Sequence, residues 1–170
     1  MLRIYFAYSR NKLSIMKRKQ IEFAQVKNTF SMICRVEVTI HAKAENIWNL
    51  LTDAKGFSRW NSTVSAINGN IREGERIVIH VPGTHRTFKP KVYGVVTNER
   101  MRWSNGLAPI FKGSRTFELR QCIDGSTDFI MEEQFSGLMF ALIKNRLPDF
   151  KMIFENYALD LKNEAEQAGL

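Results

Sequence analysis

Nowhere does the chain approach the ~18 consecutive apolar residues that a membrane-spanning helix needs, and its 170 residues include only two cysteines, three histidines and four prolines. Each shortage excludes something. Cys34 and Cys122 stand alone, with no Cys-x-x-Cys pair and no cluster of histidines near either. A disulfide framework and a structural zinc site are therefore not encoded. Both cysteines fall inside apolar strand patterns, so buried free thiols are expected, which suits a reducing, cytoplasmic compartment. His41, His80 and His85 lack a metal-ligand spacing, and the last two flank a Pro-Gly turn as solvent-facing residues. No hydrolase, kinase or dinucleotide motif occurs, and the isolated glycines build no phosphate loop. Neither a metal nor a cofactor is expected.

Acidic residues are also in deficit, 17 against 25 basic, a net charge of +8. The distribution decides what this means. Before Met32 there are seven basic residues against Glu22 alone, a net +6, while the remainder carries only +2. A nucleic-acid-binding domain should show its basic face inside the fold, so no nucleic-acid partner is expected. The apolar piece Ile4–Tyr8 is shorter than a signal-peptide core, and no small-residue cleavage site follows it. Residues 1–31 are therefore expected to be a disordered appendage, or to precede a true start at Met16 or Met32. With no sustained apolar period, they should add little to stability. Residues 32–170 then form one domain, of a size that can bury a full core.

From Met32 the periodicity sharpens. Cys34, Val36, Val38 and Ile40 alternate with polar residues, as in a strand with one buried face. Ile47, Leu50, Leu51 and Ala54 recur at helical spacing, with Gly56 placed to end the helix in a left-handed conformation. A second helical turn is predicted at 57–60. Strand patterns follow around Val64 and Ile67, around Ile77 and Ile79, and along Phe88, Val92 and Val96, with Gly94 as a bulge. Further strands run through Met101 and Trp103, from Phe111 to Ile123, and through Phe129, Met131, Glu133 and Phe135. Leu138–Arg146 reads as a short helical piece. Pro148 stands at the start of a long helix whose stripe is Phe150, Ile153, Phe154, Tyr157, Leu161 and Ala165. The order predicts an α+β fold: a strongly curved antiparallel sheet of about six strands around a long C-terminal helix, with two short helices after the first strand.

The stretches VTIHAKAENIWNLLTD, FSRWNSTV, MRWSNG, FKGSRTFELRQCIDGSTDFIMEEQFSG and NYALDLKNEAE, taken in order, resemble the START/birch-allergen-like (SRPBCC) superfamily, within it the polyketide cyclase/dehydrase and lipid-transport-like group. The resemblance spans roughly residues 36–166 and implies the helix-grip fold, an internal cavity and a small hydrophobic ligand. Two positions depart from the group's pattern. Lys43 stands where a helix-starting Pro or Ser is common, and Arg115 where a His often precedes the strand phenylalanine.

Arg115 and Glu133 are the one polar constellation on an otherwise apolar face. A three-residue loop at 124–126 would pair Ile123 with Thr127 and make Arg115 and Glu133 diagonal neighbours, either as a structural ion pair or as a ligand-orienting or acid–base site. The expected ligand wall is Phe88, Trp103, Phe111, Arg115, Phe117, Met131, Glu133, Phe135, Leu142, Met152 and Phe154, with Trp48 and Trp60 structural. Binding or transport of a lipid-like or polyketide-like molecule is the leading reading. A cyclase or dehydratase using Glu133, with Arg115 beside it, is the alternative, and a co-chaperone-like interaction module the second alternative. No more than a weak homodimer is expected.

Overall fold

The computed structural model describes residues 21–83, 87–145 and 147–167; the segment 1–20, His85 and Arg146 lie outside them. The elements are β1 (Glu22–Lys27), β2 (Ser31–Ile40), α1 (Ala44–Thr52), α2 (Phe57–Trp60), β3 (Ala66–Asn68), β4 (Val78–His80), β5 (Thr87–Phe88), β6 (Lys91–Val96), β7 (Arg100–Leu107), β8 (Phe111–Gln121), β9 (Thr127–Ser136), α3 (Leu138–Ile143) and α4 (Phe150–Gln167). A six-stranded antiparallel sheet in the order β1-β2-β9-β8-β7-β6 packs one face against α4. Among the described residues no helix is long and apolar enough to cross a membrane.

The alternation on β2 is realised fully: Met32, Cys34, Val36, Val38 and Ile40 are all buried. The facing stripe of α4 buries Phe150, Phe154, Tyr157, Ala158, Leu161 and Ala165. Complete burial of one such large apolar side chain stabilises by roughly 1.5–3 kcal/mol, so this seam is the main apolar contribution to the fold. Helix α1 starts at Lys43 without a side-chain cap. Its first N–H, on Ala44, is instead satisfied by Gln121 Oε1 of β8 at 2.9 Å, while Thr127 Oγ donates to the Ala42 carbonyl at 2.7 Å. A tertiary contact thus replaces the missing local cap.

Four expectations need correction. The boundary at Met32 left all of 1–31 outside the fold, yet Glu22–Lys27 forms the edge strand β1, in register with β2 from Glu22↔Glu37 to Lys27↔Met32. Its Phe23 meets Phe154 edge-on, ring centroids 6.0 Å apart. Charge and weak periodicity concealed it, because an edge strand needs few buried side chains to pair. Gly56 is not left-handed: α1 ends at Asp53, and Gly56 at φ −80° opens α2. Its lack of a side chain matters for another reason, since a Cβ there would lie 2.2 Å from Asp53 Oδ2. The single strand through Phe88 and Val92 is broken at Lys89-Pro90. Proline offers no N–H and restricts the residue before it, and Phe88 falls into a second sheet, β3-β4-β5. Gly94, at φ +64°, does sit within the register shift between Tyr93 and Val96.

The last correction concerns the β8–β9 hairpin. Its final pair is Gln121↔Thr127, so the loop spans 122–126 and Ile123 is fully exposed at its tip. The Asp124 carboxylate ties the turn by accepting from the Ser126 N–H (3.0 Å) and hydroxyl (2.6 Å). Every pairing moves by two residues from the expected register. An even shift keeps each side chain on its face, so the inner face survives while its neighbours change.

Because β1 adds a full hydrogen-bonded ladder and the Phe23 contact, removing residues 1–31 should lower the thermal unfolding midpoint by more than a few degrees. Differential scanning calorimetry of the truncated and full chains measures it; equal midpoints would show β1 to be energetically idle.

Candidate functional site

Cβ direction alternates along a strand, so in register the inner face of the sheet is built of transverse rows. One row, Phe23, Val36, Met131, Phe117 and Met101, is apolar. The next is not: Gln25, Cys34, Glu133, Arg115 and Trp103 stand side by side on five strands, followed by Val92 of β6. A polar row therefore crosses the middle of a largely apolar floor, its Arg115 lying against Phe154 of α4.

At its centre Arg115 and Glu133 are direct cross-strand partners. Both Nε and Nη2 of Arg115 donate to Glu133 Oε2, at 3.1 and 2.5 Å, and the side chains are only 20% and 14% exposed. The guanidinium lies over the Phe154 ring, 5.6 Å from its centroid. Burial works against the Arg115 charge, but the carboxylate outweighs it and holds the pKa above the ordinary arginine range. On the other side of Glu133, Cys34 donates to Gln25 Oε1 at 3.5 Å. Burial, reinforced by the facing Glu133 carboxylate and opposed by Arg115, pushes the Cys34 thiol from 9.0 to about 12. Such a thiol is protonated and inert at neutral pH.

Above the row, aromatic rings meet in one cluster. Trp103 packs on Phe117 (4.7 Å between centroids), Phe57 on Trp60 (4.8 Å), and Tyr157 edge-on against Trp60 (5.8 Å) and beside Phe117 (6.0 Å). Three of these residues bury a polar atom without a hydrogen-bond partner: Trp60 Nε1, Trp103 Nε1 and Tyr157 OH, with Asn61 Nδ2 a fourth. Burial raises the Tyr157 phenol well above its ordinary range, with Arg115 pulling the other way. An unsatisfied buried donor costs about 1–3 kcal/mol, and native interiors hold few of them. The arrangement supplies what an acceptor-bearing apolar molecule needs: N–H and O–H donors beside a guanidinium, inside an aromatic wall.

The structure brings Trp103, Phe117, Met131 and Phe154 together as buried inward residues, with Arg115, Glu133 and the half-buried Phe111 and Phe135 on the same side. Phe135 stacks on Phe111 (6.2 Å) and packs against Phe150 (5.2 Å), closing the interior toward α3. Three expected wall residues lie elsewhere. Phe88 is half exposed on the second sheet, Met152 is exposed on α4 one residue off its buried stripe, and Leu142 points to solvent because Phe140 takes the buried side of α3. Conversely, the structure places Trp60, Asn61 and Tyr157 in or next to the aromatic cluster and Cys34 in the polar row, where the sequence pattern reads Trp60 and Cys34 as packing residues. Tyr157 carried a signal in the sequence, being the one hydroxyl-bearing residue on the helix stripe. A polar groove of about 340 Å³ lies on the outer face, between Arg102, Lys112, Thr116 and Gln134; its lining does not suit an apolar ligand.

Comparison with known proteins extends this geometry. The family model described as polyketide cyclase / dehydrase and lipid transport matches residues 33–160. Among solved structures, protein MLL2253 from Mesorhizobium loti superposes with a TM-score of 0.62 at 20% identity, covering 81% of this chain and 99% of that one. A START superfamily protein from Mycobacterium smegmatis gives 0.58 at 17%, covering 80% and 98%. CalU16 from Micromonospora echinospora gives 0.53 at 16%, covering 88% and 96%. Among curated proteins none matches. The structural neighbours share the helix-grip architecture.

Two outcomes are expected from the polar row. Glu133→Ala alone strands a guanidinium among rings and should cost about 3 kcal/mol, whereas Arg115→Met with Glu133→Leu should cost less; purely additive effects in the double-mutant cycle would show the two residues to be uncoupled. The second outcome is alkaline. A folded-state pKa raised above the unfolded value contributes stability that is intact below the unfolded pKa and lost as pH rises through the folded one. Stability should therefore fall from pH 9.0 through about 12 for Cys34, with Tyr157 adding to the loss. Urea titrations across that range should show a shallower decline for Cys34→Ala combined with Tyr157→Phe; an unchanged slope would assign the loss to other groups.

Proposed function

Because the chain belongs to the polyketide cyclase / dehydrase and lipid transport family, we propose that it binds a small hydrophobic molecule, lipid-like or polyketide-like, between the inner face of the sheet and α4. One observation carries the reading: buried, unpartnered Trp60 Nε1, Trp103 Nε1 and Tyr157 OH gathered in one aromatic cluster beside Arg115. A protein optimised only for packing would place phenylalanine at Tyr157 and avoid the cost of an unsatisfied hydroxyl. A ligand carrying a carbonyl, hydroxyl or carboxylate group recovers that cost on binding. Arg115 supplies the charge that orients such a group.

The enzymatic alternative has less support. Both Arg115 bonds fall on Glu133, which makes the carboxylate an anchor for the guanidinium more than a base aimed at a substrate proton. Membership of a family with diverse activities does not by itself specify a reaction.

Fatty acids or aromatic polyketide-like compounds should bind at micromolar levels, roughly −8 kcal/mol, and change tryptophan fluorescence. Trp103→Phe should remove most of that change and Trp48→Phe should leave it. Tyr157→Phe is the sharper test. It should stabilise the free protein, by up to about 1–3 kcal/mol, while weakening the ligand. If it weakens neither ligand binding nor any co-purifying species seen by native mass spectrometry, the unpartnered hydroxyl has no ligand role and the carrier reading falls.

A further inference from the structure

Three chain segments meet at one end of the large sheet: the β1–β2 turn, the β7–β8 turn and α3. Backbone hydrogen bonds lock them together, from the N–H groups of Gly137, Leu138 and Met139 to the carbonyls of Phe30, Pro109 and Ile110, each 3.0 Å long. Substitution at Gly137 is blocked on two counts, since its φ is +124° and a Cβ would lie 2.4 Å from the Ile110 carbonyl oxygen. The junction is thus a built feature, and it displays exposed large apolar side chains: Phe30, Leu107, Ile110, Leu138, Met139 and Leu142. Leu107 and Leu142 are 70% and 72% exposed. Clustered exposure of this kind marks an interaction surface.

Charge identifies the partner. Across the described residues of 26–31, 105–113 and 136–152 there are four basic residues and one acidic, a net +3. Residues 1–25 carry six basic and one acidic, a net +5. All other described positions together hold 13 basic and 15 acidic residues, a net −2. Within the fold, the excess positive charge is therefore concentrated at the end that exposes the apolar side chains. The acidic exception, Asp149, already accepts the Lys151 N–H at 2.9 Å. Protein interfaces are depleted of lysine, yet all four described cations here are lysines: Lys27, Lys112, Lys144 and Lys151. Apolar side chains at turn tips and on a short helix, ringed by lysines, match an anionic bilayer, whose acyl boundary accepts irregular protrusions and whose headgroups attract the cations.

We infer that this end of the fold docks on an anionic lipid surface, with Phe30, Leu107, Ile110, Leu138, Met139 and Leu142 entering the headgroup–acyl boundary. The inference goes beyond the interior reading and does not depend on what the interior holds. It places the membrane beside α3 and the Phe111–Phe135–Phe150 rings, the end at which the sheet and α4 are closed by aromatic side chains rather than by backbone.

Flotation of the full chain with vesicles tests it directly. Vesicles of equal parts phosphatidylglycerol and phosphatidylcholine should carry the protein and phosphatidylcholine alone should not, and added salt should weaken the binding. Leu107→Ser with Leu142→Ser should lower partitioning by about tenfold or more, and Lys112→Glu with Lys144→Glu by a similar factor. Ile123→Ser, fully exposed at the opposite end of the sheet, should change nothing. Circular dichroism melts confirm that the variants fold, as their exposure predicts. Absence of binding to anionic vesicles overturns the inference. So does undiminished binding of the leucine variant, which would assign attachment to the basic N-terminal segment alone. A concentration-dependent dimer in sedimentation velocity, abolished by the leucine variant, would make the surface a self-association or protein interface instead. Ligand binding by tryptophan fluorescence is read separately, so failure here leaves the interior reading standing, and the reverse holds.

Discussion

The contact on which the rest of this structure depends is the seam between the α4 stripe and the inner face of the six-stranded sheet. Phe154, Tyr157, Leu161 and Ala165 are almost completely buried there, as are Val36, Val38, Phe117, Phe129 and Met131 opposite them. An antiparallel sheet can leave one face wet but must cover the other. Once α4 covers it, α1 and α2 are drawn in around the same helix: Ser62, just beyond α2, donates its N–H and hydroxyl to Asp160 on α4, at 2.8 and 2.6 Å. The aromatic cluster of Phe57, Trp60, Trp103, Phe117 and Tyr157 follows from that closure, because it draws one ring each from α2, β7, β8 and α4, with Trp60 the second from α2.

Within this largely apolar seam a polar row is kept at the centre, and its chemistry is set by its position. Arg115 retains its charge because Glu133 lies directly opposite and Phe154 covers the guanidinium. Cys34, one strand further, is forced into the neutral state by the same burial and the same carboxylate. Glu133 and Arg115 act on the ionisation of Cys34, and Glu133 and Cys34 on that of Arg115, across this shared low-dielectric space. The unpartnered Trp and Tyr donors above the row are a cost that the seam's apolar burial tolerates.

The outer surface divides in a corresponding way. Toward the β8–β9 turn the outer face is a neutralised ladder, with Arg35 bonded to Glu37 and Glu132 and Arg120 to Glu118. Toward α3 stand Lys27, Lys112, Lys144 and Lys151, and the turns and α3 there expose large apolar side chains. That polarity along the strands gives the molecule one chemically distinct end, adjacent to the rings that close its interior.

Residue pattern alone determined much of this. Alternation on β2, β8 and β9 set which side chains face inward, and the 3–4-residue spacing of Phe150 to Ala165 set the helix that covers them, because both periods follow from backbone geometry. The order of elements and the quoted motifs were sufficient for the helix-grip expectation. The pairing of Arg115 with Glu133 was also legible, although only as diagonal neighbours. What tertiary structure decided were the features that periodicity does not encode. Loop length at 122–126 set the register and brought the pair face to face. A proline at position 90 split one apparent strand and moved Phe88 to another sheet. Edge pairing recruited Glu22–Lys27 despite its exposure. Leu142 and Met152 turned outward because Phe140 and the neighbouring α4 stripe already occupied the buried positions. Trp60, Asn61 and Tyr157 are left with unpartnered buried atoms because polar satisfaction depends on which atoms a fold brings within hydrogen-bond reach. That is a property of three-dimensional placement, and a linear pattern of apolar and polar residues does not carry it.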